Sequence, residues 1–121
     1  GHGPAFWAEI APLRSPEDRY TYPKYPVERE GRVAHLLRTY PNLVADLSAG
    51  SGANALLRDP DYTVAFLNEF GDRLMFGTDI CYRSQRFATG ALLQELKAQG
   101  KISAEAFDAI SGQNAIRLLG L

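Results

Sequence analysis

Two short apolar segments, each leading into a helix-like segment, constrain the fold of this chain more than any other feature. Residues 43–48 form the first segment and residues 74–78 the second, and both are too apolar for an exposed sheet edge. Asp59-Pro60-Asp61 predicts a helix start between them, since aspartate caps helices and proline suits their first turn. Strands joined through a helix run parallel. The sequence therefore predicts an α/β fold with helices covering a parallel sheet.

The other helices follow from apolar spacing and from residues typical of helix ends. Residues 28–40 and 87–99 carry apolar side chains at spacings of three and four, and Gly100 is a suitable stop for the second helix. Ser103 predicts the cap of a further helix, and a last helix holds residues 115–119. The glycines within residues 49–52 predict a flexible loop. Two asparagines are predicted to be turn or cap residues, namely Asn54 and Asn114.

Composition excludes several classes of protein. With 121 residues, 45% of them hydrophobic, and a formal net charge of -1, residues 1–121 are predicted to form a single α/β unit. The balanced charge gives no footprint for nucleic acid or an anionic membrane, and no apolar run reaches the roughly 20 residues needed to span a bilayer. No signal peptide is visible, so we expect a cytoplasmic protein. The single cysteine, Cys81, excludes an internal disulfide and is expected to pack at a strand end.

Asp79 is the first candidate for chemistry. A carboxylate at the carboxyl end of a buried strand is where parallel α/β proteins place a metal ligand or a catalytic base. Strand alternation puts Met75, Gly77 and Asp79 on one face, and Gly77 would leave room there for a ligand. The alternative is that Asp79 caps the next helix or forms an Asx turn. The residues alone leave both interpretations open.

His2 is the second candidate, because it follows a predicted strand end and has glycine on both sides. Its alternative is an exposed terminal histidine or the remnant of a purification tag. Asp46 and Ser48 share a strand face, where they either line a cavity or pair with arginines. The aromatic residues that follow the first strand end form either a substrate wall or the packing of a long loop; they are Phe6, Trp7, Tyr20, Tyr22 and Tyr25.

Several segments taken together resemble one known family. Residues 1–7 resemble the histidine-containing end of the sixth strand, with its following helix, in the amidohydrolase-related TIM-barrel family, in the branch that includes aromatic-acid and carboxymuconate-semialdehyde decarboxylases. Residues 72–79 resemble the eighth strand of that family and residues 113–121 its terminal helix. Residues 43–48 fall where the seventh strand should be. The resemblance implies the carboxyl-terminal part of a (β/α)8 barrel, with about three parallel strands.

The resemblance also implies roles for individual residues. Asp79 would bind a divalent metal ion, with zinc expected, or would orient and deprotonate a metal-bound water. His2 would polarise the substrate or move a proton. Phe6 and Trp7 would contact a small-molecule substrate. The implied activity is that of a metal-dependent hydrolase acting on a carbonyl compound.

The chain also departs from the family. The His-x-His metal motif of the first strand and the histidine ligand of a middle strand are absent from these residues, and a TIM barrel takes about 250 residues. We therefore expect the chain alone to be inactive and to need the other barrel half, supplied by further sequence, a second chain or a homo-oligomer. Two alternatives to the hydrolase stay open: a metal-dependent decarboxylase of aromatic or unsaturated acids, and a non-catalytic truncated module.

Overall fold

The computed structural model describes all residues from Gly1 to Leu121. Helices dominate, and two short strands interrupt them. In chain order the elements are α1 (Gly3–Ala8), a 3-10 helical turn (Pro16–Tyr20), α2 (Arg32–Thr39), β1 (Ala45–Asp46), α3 (Ala49–Leu57), α4 (Pro60–Phe70), β2 (Leu74–Met75), α5 (Thr89–Ala98), α6 (Ala104–Asp108), a π-helical turn (Ala109–Gln113) and α7 (Asn114–Leu119).

The strands β1 and β2 are parallel, with Ala45 opposite Leu74. The amide of Leu47 donates to the carbonyl oxygen of Met75 at 2.8 Å, which extends the pairing by one residue. On the other edge of β1, the amide of Asp46 donates to the carbonyl oxygen of Gly1 at 3.1 Å. The predicted parallel pairing is therefore confirmed. The sheet has two strands rather than about three, and the backbone of Gly1 alone lies where a third strand would pair.

The segment 49–52 was expected to be a loop, and this prediction is wrong because these residues form the first turn of α3. The amide of Gly52 donates to the carbonyl oxygen of Ser48 at 3.2 Å. A Cβ atom at Gly52 would lie 2.4 Å from the carbonyl oxygen of Leu47. Glycine is present because the helix passes very close to the backbone that leaves β1, and not because the segment is flexible.

Asn54 and Asn114 also differ from expectation, since both are buried within helical segments. The side-chain amide of Asn54 donates to the carbonyl oxygen of Pro23 at 2.9 Å. The side-chain amide of Asn114 donates to the carbonyl oxygens of Gly71 and Leu74, at 2.7 Å each. Each asparagine satisfies backbone groups of another segment, which is a tertiary contact that local sequence does not reveal.

One cluster of 19 buried apolar residues forms the core, and it includes side chains from both strands and most helices. Trp7, which is 2% exposed, packs edge-on against Phe66 with ring centroids 6.2 Å apart. Asp59 caps α4 as predicted, because its carboxylate accepts the amide of Tyr62 at 3.1 Å. No helix has the length and apolar character needed to cross a membrane.

Candidate functional site

His2 and Asp46 meet at the edge where β1 ends. His2 is the residue before α1, in extended conformation, and the pairing of Gly1 with β1 brings it beside Asp46. Its Nδ1 atom lies 3.0 Å from Oδ1 and 3.1 Å from Oδ2 of Asp46. From the core side, the indole N–H of Trp7 donates to the carbonyl oxygen of Asp46 at 3.0 Å. The buried tryptophan thus anchors the backbone that carries the carboxylate.

The carboxylate of Asp46 is held in its ionised form. Partial burial raises its pKa, but hydrogen bonds from Ser48 and His2 together outweigh that effect, so the pKa lies below the ordinary value of an aspartate. The amide of Ser48 donates to Oδ1 at 3.1 Å, and the Ser48 hydroxyl donates to the same oxygen. An ionised carboxylate only accepts hydrogen bonds, so Nδ1 of His2 must be the donor. Nε2 is consequently the nitrogen of His2 that is free to accept a proton or a ligand.

Asp79 lies opposite this nitrogen, since its Oδ2 atom is 3.9 Å from Nε2 of His2. Both side chains are about half exposed, at 51% for His2 and 50% for Asp79. The backbone of Asp79 has a φ of 52°, in the left-handed region that aspartate tolerates better than most residues. The next helix begins only at Thr89, so Asp79 is not its cap. The structure therefore brings together the two residues that the sequence singled out.

Two expectations about the surroundings of Asp79 are wrong. Gly77 was expected to leave room for a ligand, but a Cβ atom there would lie 3.1 Å from Cβ of Ser48, so Ser48 already fills the space. Cys81 was expected to pack at the strand end, but it is exposed. Its thiol donates weakly to the carbonyl oxygen of Asp79, with sulfur and oxygen 3.6 Å apart.

The aromatic residues do not form one wall beside this pair. Trp7 is buried in the core, and Phe6 packs edge-on against it with ring centroids 5.1 Å apart. Phe6 also lines a surface groove with Arg19 and Arg32. Tyr20 is almost fully exposed. The structure gives Trp7 the role of anchoring Asp46, while contact of Phe6 and Trp7 with substrate stays a prediction.

The imidazole and carboxylate groups at this edge are of the kind that bind a divalent metal ion, but there are too few of them to form a complete metal site. An imidazole nitrogen and a carboxylate are both ordinary zinc ligands, and a second carboxylate on the other ring nitrogen is the usual support of a ligating histidine. Asp79 supplies a carboxylate ligand, and Nε2 of His2, with Asp46 on the other ring nitrogen, can serve either as a second ligand or as a proton carrier, but not as both. No group of three or more metal-binding side chains is present, whereas catalytic zinc sites use about three protein ligands. This chain alone provides at most two ligands.

Sequence reasoning expected Asp46 either to line a cavity or to pair with arginines, and it missed the bond to His2. The two residues are 44 positions apart, and only the pairing of Gly1 with β1 makes them neighbours. The available signal was the alternation that places Asp46 and Ser48 on one strand face, combined with the resemblance that puts residues 1–7 and 43–48 on consecutive barrel strands. Neither signal says which side chain His2 would contact.

Comparison with protein families identifies one match. A family model described as amidohydrolase matches residues 20–121, a range that contains Asp46 and Asp79 and begins after His2. Comparison with curated proteins and with solved structures finds no match. The matched range covers most of the chain, and the chain therefore belongs to the amidohydrolase family.

Proposed function

We propose that this chain is the carboxyl-terminal portion of a metal-dependent hydrolase that activates water against a small carbonyl substrate. The observation that carries the proposal is the placement of Asp79 3.9 Å from Nε2 of His2, with Asp46 holding the other ring nitrogen. Amidohydrolases generally bind divalent metal ions, and the parallel strands are consistent with part of their barrel. Zinc is the ion we propose, because imidazole and carboxylate donors suit it.

A bound divalent ion would lower the pKa of water and polarise a carbonyl oxygen. Asp79 is the residue of this chain that would hold that ion or orient the attacking water. His2 would receive or deliver a proton at Nε2, because Asp46 keeps the proton on Nδ1. Trp7 fixes the backbone of Asp46, so the imidazole keeps its orientation through the reaction.

The decarboxylase branch of the family is the second candidate. A proton delivered from Nε2 of His2 to the carbon that loses carbon dioxide would complete such a reaction, and the same His2–Asp46 pair serves that step. The resemblance of residues 1–7 favours this branch. Release of carbon dioxide from a hydroxybenzoate would identify a decarboxylase, whereas cleavage of aryl esters or lactones without gas would identify a hydrolase. A protein with neither activity would be the non-catalytic module.

The test of metal binding uses the full-length protein that contains this chain. We expect about one divalent ion per polypeptide by mass spectrometry of the metal content. Asp79→Asn should lose that ion, and His2→Gln should retain it while turnover falls by about 10²- to 10⁴-fold, the usual contribution of a general acid or base. Asp72→Asn, an exposed aspartate before β2, is the matched control and should keep both properties. Absence of metal, together with unchanged activity in Asp79→Asn, would refute the proposal.

A further inference from the structure

A surface cleft lined by residues other than the His2–Asp79 pair carries several positive charges. Its volume is about 410 Å³, within the range of small-molecule sites. It is an open cleft bordered by the loop before Pro26, by α3, and by the residues leading into α5. Its lining includes three cations, which are Lys24, Arg58 and Arg86, and contains no acidic residue. We call this cavity the basic pocket, and none of the residues His2, Asp46 and Asp79 lines it.

The two exposed cations of the basic pocket have only neutral partners. The ammonium group of Lys24 donates to Oδ1 of Asn54 at 2.5 Å. Nη1 of Arg86 donates to the backbone carbonyl oxygens of Arg83 and Gln85, at 2.8 Å each. Ion pairs elsewhere on the surface join arginines to glutamates, as between Arg38 and Glu30. The positive charge of this pocket is thus not balanced by carboxylates of the pocket itself.

Arg58 adds a third positive charge to the lining of the pocket. It is only 8% exposed, and its guanidinium donates to the carbonyl oxygens of Tyr25 at 2.8 Å and of Ala8 at 3.3 Å. The same group lies 4.4 Å from the centre of the Tyr25 ring. Asp18 lies close enough to sense the charge of Arg58, but its carboxylate accepts the hydroxyl of Tyr25 at 2.7 Å instead. Carbonyl oxygens and an aromatic ring do not neutralise the guanidinium, so an anion in the pocket would be attracted by a nearby positive charge that has little contact with water.

The other residues that line the basic pocket indicate which chemical group is attached to the anion. Tyr22, Leu57 and Phe87 give the pocket an apolar and partly aromatic surface. Gly50 also lines it, and this residue lies in the first turn of α3, where backbone amides lack partners within the helix. Three cations beside a helix N-terminus match a doubly charged group better than a single carboxylate. We propose that the basic pocket binds a phosphate monoester carrying a flat apolar group.

The test measures binding of phenyl phosphate and of inorganic phosphate to the full-length protein by calorimetry. The pH should be near 7.5, where the phosphate is mostly a dianion, since its second pKa is about 6. We expect saturable binding of both probes, with phenyl phosphate binding more tightly. Lys24→Gln and Arg86→Gln should each weaken phenyl phosphate by about tenfold, because each removes one charge-assisted contact. Both residues are exposed, so neither change should impair folding.

Two further variants test whether phenyl phosphate binds in the basic pocket. Arg83→Gln removes an exposed arginine three residues from Arg86 that does not line the pocket, and affinity should stay within about twofold. Asp79→Asn should leave phenyl phosphate binding unchanged. The proposal is overturned if neither probe saturates, if Arg83→Gln weakens binding as much as Arg86→Gln, or if Asp79→Asn abolishes it. Inorganic phosphate binding more tightly than phenyl phosphate would overturn the apolar part of the assignment.

Discussion

At the scale of the residue, Asp46 has two separate sets of contacts. Its main-chain oxygen accepts the indole N–H of the buried Trp7, and its carboxylate accepts Nδ1–H of the exposed His2. The rigid core is therefore connected to the imidazole through one amino acid. Asp46 can therefore keep the imidazole of His2 in one orientation without contacting substrate itself. Carboxylates that accept a hydrogen bond from the second ring nitrogen of a functional histidine usually act in this way.

Replacement of Asp46 by asparagine should lower turnover while leaving the metal content intact. The asparagine oxygen could still accept a hydrogen bond, but it carries no charge to stabilise a protonated imidazole or to hold Nδ1–H. Loss of such a supporting group typically costs about 10- to 100-fold in activity. Metal analysis beside steady-state kinetics checks this. If Asp46→Asn lost its metal as Asp79→Asn does, Asp46 would be a ligand rather than a positioning residue.

The same variant should change how stability depends on pH. The pKa of Asp46 is lowered in the folded protein, because hydrogen bonds from Ser48 and His2 outweigh burial. The carboxylate therefore stabilises the fold above its unfolded pKa of about 3.9, and this contribution disappears as pH falls through the lower folded pKa. The difference in melting temperature between wild type and Asp46→Asn should be present at about pH 5 and should shrink as the pH falls below about 4. A difference that grew between about pH 4 and about pH 2 would contradict the assignment.

At the scale of the element, the sequence predicts more about helices than about the way they pack. The helix caps Asp59 and Ser103 are confirmed, since each side chain accepts the amide three residues ahead. Such a contact depends only on neighbouring residues, so the local sequence is enough to predict it. The glycines of α3 were wrongly predicted to form a loop. Position 52 requires glycine because the carbonyl oxygen of Leu47 leaves no room for a Cβ atom there. Local propensity counts glycine as a helix breaker and contains no information on that contact.

Gly52→Ala should destabilise the protein although alanine is the better helix former. Propensity alone would favour alanine by about 1 kcal/mol, but its Cβ would lie 2.4 Å from the carbonyl oxygen of Leu47, and such overpacking costs about 1–3 kcal/mol. Gly112→Ala is the matched control. A Cβ atom there meets nothing within 4 Å, so stability should stay the same or rise. Urea denaturation of both variants checks the opposite signs, and equal shifts would show that Gly52 does not mark a close approach.

At the scale of the whole molecule, the site and part of the surface are both incomplete. Asp79, even if His2 were added as a second ligand, does not reach the roughly three protein ligands that a catalytic zinc needs. Large apolar side chains are exposed after β2 and in the last helix, among them Ile80, Tyr82 and Leu119. Exposed apolar residues in such numbers are typical of surfaces that other chain segments cover. The resemblance predicted this need for other barrel strands, but neither the sequence nor the geometry identifies which polypeptide supplies them.

We therefore propose that the functional protein contains more polypeptide than these 121 residues, either as further barrel strands or as a second copy. A complete barrel takes about 250 residues, so native mass spectrometry of the protein purified from its source should give a mass at least roughly twice that of this chain. Denaturing mass spectrometry of the same sample separates a longer polypeptide from an oligomer. The zinc content should follow the larger species, because only that species can supply the remaining ligands. A native species with the mass of this chain alone, carrying one tightly bound zinc ion, would contradict the conclusion that these residues provide too few ligands for the ion.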